Sequence, residues 1–197
     1  PQVARSGYEA DDVIAGFWRM ADEDVQIVSN DKDLTQLCGT INGHTTEVLR
    51  ISSFGTSTDI WGESDVRSHF GVPPEDVPML LALMGDKADN IPGIPGIGIK
   101  RAAKIIEDAG HNNVQVFDHP KVADRKDQVR RNLILTNLRA PLPGMELRPV
   151  KPFDPVTPRH QDWTELDSFL QKYQLRTVRE KIMDGTFWRR SDNVFGG

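Results

Sequence analysis

The chain has 197 residues, 38% of them apolar and 27% charged, with a formal net charge of −5; this is the composition of a globular domain, not of a disordered polyelectrolyte. No apolar run approaches the ~20 residues a membrane-spanning helix needs, and the opening residues do not read as a basic-then-apolar signal segment. The single cysteine, Cys38, excludes an internal disulfide and a cysteine-based zinc site, and a reducing cytoplasm is the expected compartment.

In chain order, residues 1–7 read as the tail of a connection, so the sequence is expected to be a piece whose front is absent. Val13, Ile14, Phe17, Trp18 and Ala21 follow helical spacing and predict a helix over 8–21. A short buried strand is expected at 24–30 (DVQIVSN), a helical turn at 31–37, a tight turn at Asn42-Gly43 and a second strand at 47–52. Strand, helix and strand at this spacing favour a parallel sheet covered by helices. Helices follow at 64–70, closed by Gly71, and at 75–84, with Pro78 in its first turn. A clean amphipathic helix is expected at 100–109, closed by Gly110, and another with a basic face at 124–138. Residues 140–160 carry six prolines and read as an extended strap. Helices at 163–173 and 177–183 are expected to use Leu166, Phe169, Leu170, Tyr173, Val178 and Ile182 as core, before a tail.

Charge is unevenly spread. Residues 1–92 hold 6 Lys and Arg against 16 Asp and Glu, a balance of −10, whereas residues 93–140 hold 9 against 5, a balance of +4. The acids gather in three stretches: Glu9-Ala10-Asp11-Asp12, Asp31-Lys32-Asp33 and Asp86-Lys87-Ala88-Asp89. Each has an ordinary explanation taken alone. Acids in a first helical turn suit the helix dipole, Asp31 or Asp33 would cap a helix, and Asp86 would start an Asx turn. Together they are less ordinary. Asp31 and Asp33 follow a strand at its carboxyl end, where open α/β sheets bind ligands, and seven acids converging on one point would repel unless cations sat among them. Hard divalent ions prefer such oxygen ligands, and two of them ~3.5–4 Å apart clamp both oxygens of an in-line phosphodiester displacement. The histidines are scattered, and the spacing does not fit a calcium hand.

Between the third acidic stretch and the helix at 100–109 lies Ile91-Pro92-Gly93-Ile94-Pro95-Gly96-Ile97-Gly98-Ile99-Lys100. It is neither a Walker loop nor a dinucleotide fingerprint. Its glycines allow backbone to approach a phosphate, which a helix N-terminus attracts, and Lys100, Arg101 and Lys104 would follow the phosphate track. A tight helix–helix connection filled by Ile94, Ile97 and Ile99 is the plainer alternative. The basic run Lys121, Arg125, Lys126, Arg130 and Arg131 favours nucleic acid.

The stretches GYEADDVIA, IVSNDKDLTQL and GDKADNIPGIPGIGIKRAAKII resemble, in order and approximate spacing, the bacterial and phage 5′-nuclease family, which comprises the 5′→3′ exonuclease domain of DNA polymerase I and the free-standing flap endonucleases. The resemblance covers residues 7–140 well and weakens toward 183. It implies an α/β, Rossmann-like (PIN-like) parallel-sheet nuclease core, truncated at its N-terminus, with a helix-hairpin-helix that grips duplex DNA. Glu9 and Asp11 match ligands of a first metal, and Asp11, Asp31, Asp33 and Asp86 match those around a second and carry the catalytic assignment. Asp12 and Asp89 match auxiliary carboxylates. Gly93, Gly96, Gly98 and Lys100 match the phosphate-gripping hairpin, continued by Arg101 and Lys104. The implied cofactors are two or more Mg²⁺ or Mn²⁺ ions, with a potassium ion at the hairpin. The family's preceding segment supplies a further strand, two aspartates and a basic arch, so this chain is expected to hold only half of the first metal's ligands.

These readings divide the chain into a nuclease-core portion at 1–90, a helix-hairpin-helix region at 91–140 and a strap with terminal helices at 141–197. The expected function is a metal-dependent 5′ nuclease, exonuclease or flap endonuclease, in replication and repair. Its partner is DNA bearing a 5′ end or flap on a duplex, with no membrane and as a monomer. The alternatives are a duplex-DNA-binding fragment without catalysis, a related nuclease acting on RNA in RNA–DNA hybrids, and a plain α/β protein whose acids are helix caps.

Overall fold

In the computed structural model, which describes residues 3, 5–51, 58–145, 147, 163–172, 176, 179 and 180, the first element is helix α1 (Ala10–Arg19). Its apolar stripe turns Val13, Ala15 and Trp18 inward. Trp18 satisfies its indole N–H by donating to Thr46 Oγ1 at 3.2 Å, as a buried Trp must. Strand β1 (Val25–Val28) leads to a 3₁₀ turn at Asp33–Leu37. Strands β2 (Gly39–Ile41) and β3 (His44–Ile51) then form a hairpin. Its two-residue turn puts Asn42 at φ 51° and Gly43 at φ 85°, the left-handed pair that matches strand twist. β3 pairs in parallel with β1, Val25 opposite Thr46 through Val28 opposite Leu49. β4 (Thr58–Trp61) also pairs with β3. The parallel pair bears out the α/β expectation. The sheet is mixed, because the Asn-Gly turn folds β2 back beside β3; β2 and β4 are too short to stand out as alternating patterns.

Helix α2 (Glu63–Phe70) ends at Gly71 in the left-handed conformation, φ 76°. The expected helix at 75–84 begins as a 3₁₀ turn at Pro74–Asp76 and continues as α3 (Val77–Met84), with Pro78 in its first turn. α3 is apolar on every side and is the centre of the core: Val77, Met79, Leu80, Leu81, Ala82 and Leu83 are all at most 1% exposed. Burying one such leucine contributes about 2 kcal/mol. α3 ends in a two-rung antiparallel ladder, β5 (Gly85–Asp86) with β6 (Ile91–Pro92), Gly85 opposite Pro92 and Asp86 opposite Ile91. Helix α4 (Ile99–Asp108) packs Ala102, Ile105 and Ile106 on the core. The short helix α5 (Asn113–Asp118), capped by the Asn112 side chain, is an addition to the expected elements. The segment at 124–138 splits into a 3₁₀ turn at Ala123–Arg125 and α6 (Lys126–Thr136), which packs along α3. Its outer face is not purely basic, since Ile134 and Leu135 are exposed beside Arg130 and Arg131.

Residues 1–50 and 59–149 make one compact unit, and 51–58 with 150–197 a second. The second contributes helix α7 (Trp163–Lys172), with Leu170 buried and Asp167 paired to Arg179. The proline strap, the helix at 177–183, the tail and the side chains of Leu166, Phe169, Tyr173, Val178 and Ile182 lie outside the described residues.

Candidate functional site

β1 delivers the chain to the acids. The ladder continues past the strand, Ser29 N–H donating to Leu49 O at 3.0 Å. Ser29 Oγ then accepts the Asp31 N–H at 3.0 Å, and Asp31 Oδ1 accepts the Asp33 N–H at 2.9 Å. This Asx turn stops the strand and starts the 3₁₀ turn. It aims Asp33 inward, 16% exposed, where its buried Oδ1 accepts no hydrogen bond.

The second approach is made by α3. Gly85 follows it at φ +75°, and a Cβ there would lie 2.2 Å from Gly93 N. A Cβ on Gly93 would lie 2.0 Å from Met84 O. Both must therefore be glycine for β5 and β6 to pack this closely. The ladder holds Asp86 at 6% exposure, its Oδ1 accepting the Ala88 N–H at 2.8 Å and its Oδ2 in direct contact with Lys32 Nζ.

Asp33, Asp86 and Asp89 thus meet: each offers one carboxylate oxygen, all within 4.8 Å of one another. Burial, with the charges of Asp31, Asp86 and Asp89, pushes the Asp33 carboxyl up to about 6 despite Lys32. Burial also acts against charge on Asp86, but the Lys32 and Ala88 hydrogen bonds outweigh it and hold its carboxyl below the usual range. Lys32 is shifted up, burial being overcome by Asp86, Asp33 and Asp31. Asp11 is raised by burial and then by Asp31, Glu9, Asp12 and Asp89, so the front motif lies within the field of the same acids.

The seven expected acids are therefore not equivalent. Asp33, Asp86 and Asp89 form the tight group. Asp11 and Asp31 flank it electrostatically. Glu9 and Asp12 are engaged in capping α1: Glu9 is its N-cap, and Glu9 N–H donates to Asp12 Oδ2 at 3.0 Å. The front motif thus supplies the start of α1 through Glu9 and Asp12, while Asp11 feels the charge of Asp31 and Asp89.

Seven residues beyond Asp86 the chain enters the glycine loop. Ile94 N–H donates to Leu83 O at 2.9 Å and Ile97 N–H to Ile94 O at 3.0 Å, with Ile94 and Ile97 buried. The loop is thus a helix-hairpin-helix connection whose isoleucines fill core, as anticipated. Its glycines divide the work. Gly93 serves close packing, and Gly96 takes φ +77°. Gly98 N-caps α4 in the open, with no atom within 4 Å of the place a Cβ would take. Arg101 folds back to the Gly96 carbonyl at 2.6 Å. Lys100 is exposed, whereas Lys104 is paired with Glu107 and Asp108 at 3.2 and 3.0 Å.

Four polar residues that carry no motif hold this arrangement. Gln128 donates to Pro92 O at 2.8 Å, Asn132 to Ala82 O at 2.9 Å and Pro92 O at 2.7 Å, and Thr136 to Pro78 O at 2.9 Å. They tie α6 to α3 and β6. Gln36, fully buried, joins the 3₁₀ turn after Asp33 to Thr136 O at 3.0 Å. The spacing of Gln128, Asn132 and Thr136, four residues apart on one face, was the available signal. No helix among the described residues is long and apolar enough to cross a membrane.

Comparison with known proteins gives matches over most of this region. Residues 1–71 match the N-terminal resolvase-like domain of the 5′-3′ exonucleases and residues 72–145 their C-terminal SAM fold. DNA polymerase I of Rhizobium leguminosarum is 34% identical over 194 residues, covering 93% of this chain and 18% of that protein. A 5′-3′ exonuclease of Aquifex aeolicus is 30% identical over 190 residues, covering 92% of this chain and 61% of that protein. The chain therefore spans less than two thirds of either relative. Among solved structures, a bacteriophage T5 flap endonuclease complexed with DNA and metal ions superposes with a TM-score of 0.55 and 29% identity, covering 68% of this chain and 51% of that one.

Proposed function

The chain belongs to the 5′-3′ exonuclease family, and on that premise we propose that it forms part of a divalent-metal-dependent 5′ nuclease that hydrolyses DNA phosphodiesters near 5′ ends and flaps in the cytoplasm, as a monomer. The observation that carries the reading is the convergence of Asp33, Asp86 and Asp89 within 4.8 Å, from segments some fifty residues apart in sequence. The buried Asp33 oxygen without a hydrogen bond and an all-carboxylate donor set fit a hard cation such as Mg²⁺ or Mn²⁺. Asp33, Asp86 and Asp89 would hold one ion, with Asp11, Asp31 and the Glu9 carboxylate available to a second, Asp12 keeping its cap on α1. When bound, such ions lower the pKa of a water and offset charge on the phosphodiester oxygens.

The rest falls to the chain itself. The free N–H groups at the start of α4 suit a phosphate oxygen, and Lys100 and Arg101 add positive charge without reading sequence. Gly98 leaves room for close approach. Lys104, already paired twice, contributes less, and a potassium ion at the hairpin is the remaining part of this reading. The hairpin would anchor the duplex while the acids face the strand to be cut.

Cleavage of a 5′-labelled flap by the full-length protein tests this. Wild type should cut in Mg²⁺ and stop in chelator. Asp31→Asn and Asp86→Asn should abolish cutting while retaining most duplex binding; cleavage surviving in both would refute the assignment. Matched DNA and RNA 5′ strands fix the substrate class.

A further inference from the structure

Lys32 stands where the carboxylates converge. Its Nζ touches Asp86 Oδ2 and lies 3.7 Å from Asp33 Oδ1. Among the described residues no other ion pair reaches Asp33 or Asp86, so one positive charge serves the group. The lysine side chain is 39% exposed, which gives it a route to solvent. Asp33 Oδ1 is in the opposite situation: it is buried, and at 3.7 Å the ammonium is too far to hydrogen-bond to it. A single ammonium therefore satisfies Asp86 and leaves Asp33 incompletely compensated. An ion of charge +2 with six oxygen ligands would compensate both at once.

We propose that Lys32 is a resident counter-cation that competes with the divalent ion: it occupies Asp86 in the metal-free protein and must swing out before the cluster loads. The inference rests on the metal-binding reading above. Lys32 immediately precedes Asp33 in the chain, so its ammonium is a tethered competitor at high effective concentration. Its compact charge on a flexible stem suits repeated release better than a guanidinium fork would. The competition raises the cation concentration needed for loading and keeps the acids from repelling one another until then.

The experiment is direct binding of Mn²⁺ to the full-length protein, followed by the paramagnetic signal of the free ion and by calorimetry. Lys32→Met and Lys32→Gln are compared with wild type. Loss of one charge-assisted hydrogen bond from the unloaded state should tighten apparent Mn²⁺ binding roughly tenfold in both variants. It should also lower the metal-free melting temperature and enlarge the rise caused by Mn²⁺. A variant that folds only with Mn²⁺ gives the same support. Unchanged or weaker binding in a folded variant overturns the proposal, as does failure of both variants to fold even with Mn²⁺, because Lys32 would then be a fixed structural ion. Absence of Mn²⁺ binding in wild type as well would instead remove the metal reading on which the proposal stands.

Discussion

The Asn132 side-chain amide donates to the Pro92 carbonyl at 2.7 Å. Pro92 sits opposite Gly85 in the ladder that carries Asp86, so a buried asparagine on α6 holds the strand beside a buried acid. Asn132→Leu would leave the Pro92 and Ala82 carbonyls without that donor. The expected loss is about 2 kcal/mol of stability, read from chemical denaturation, with Mn²⁺ affinity falling alongside. An unchanged denaturation midpoint would show that the clamp is idle.

Two glycines of one motif should behave in opposite ways. Gly93→Ala drives a methyl group to 2.0 Å from Met84 O, backbone that cannot swing aside, and should lower stability by about 3 kcal/mol or more. Gly98→Ala meets open space at φ −109° and should leave stability within about 0.5 kcal/mol. Under the proposed phosphate contact it should nevertheless weaken duplex binding. Equal melting temperatures for the two variants would contradict the packing argument.

Stability of the metal-free protein should carry a signature of Asp33. Its carboxyl is raised to about 6, so the folded state holds a proton that the unfolded chain releases near pH 4. Wherever the folded state binds more protons, stability falls as pH rises. Between about pH 4 and 6 wild type should therefore lose on the order of 2 kcal/mol relative to Asp33→Asn. Saturating Mn²⁺, which binds the ionised carboxylate, should abolish this pH-dependent loss in wild type. Asp86 works in the other direction, since its lowered carboxyl adds stability that disappears as the pH drops below its ordinary range. Parallel pH profiles for wild type and Asp33→Asn would exclude the effect.

Salt titration of duplex binding should rank the hairpin cations. Lys100→Gln and Arg101→Gln should each reduce the slope of log affinity against log salt by about 1, uniformly across sequences. Lys104→Gln should change it less, because Glu107 and Asp108 already hold that ammonium. A steeper dependence on Lys104 than on Lys100 would reverse the ranking.

The helices and the acids were legible because their causes are local. The stripe of Val13 and Trp18, the stop at Gly71 and the caps of α1 need only neighbours in sequence. The convergence of Asp33 with Asp86 was reachable through strand-end reasoning combined with the family's motif order. The unequal status of the acids was not, since it depends on which of them folding buries together: Asp33 and Asp86 meet across some fifty residues with Lys32 between them. The short strands β2 and β4 and the helix α5 carry no legible sequence signal, because three to six residues leave too little periodicity. Gln36, Asn132 and Thr136 look like surface residues until the carbonyls that folding brings opposite them are known: Thr136 for Gln36, Ala82 and Pro92 for Asn132, Pro78 for Thr136.

The two-rung ladder of β5 and β6 has one more effect. It joins the acids and the hairpin through a short hydrogen-bonded stretch of backbone. In the proposed nuclease that would make the segment a ruler: the gap between the held duplex and the scissile bond would be set by the length of this main chain, whatever bases are present.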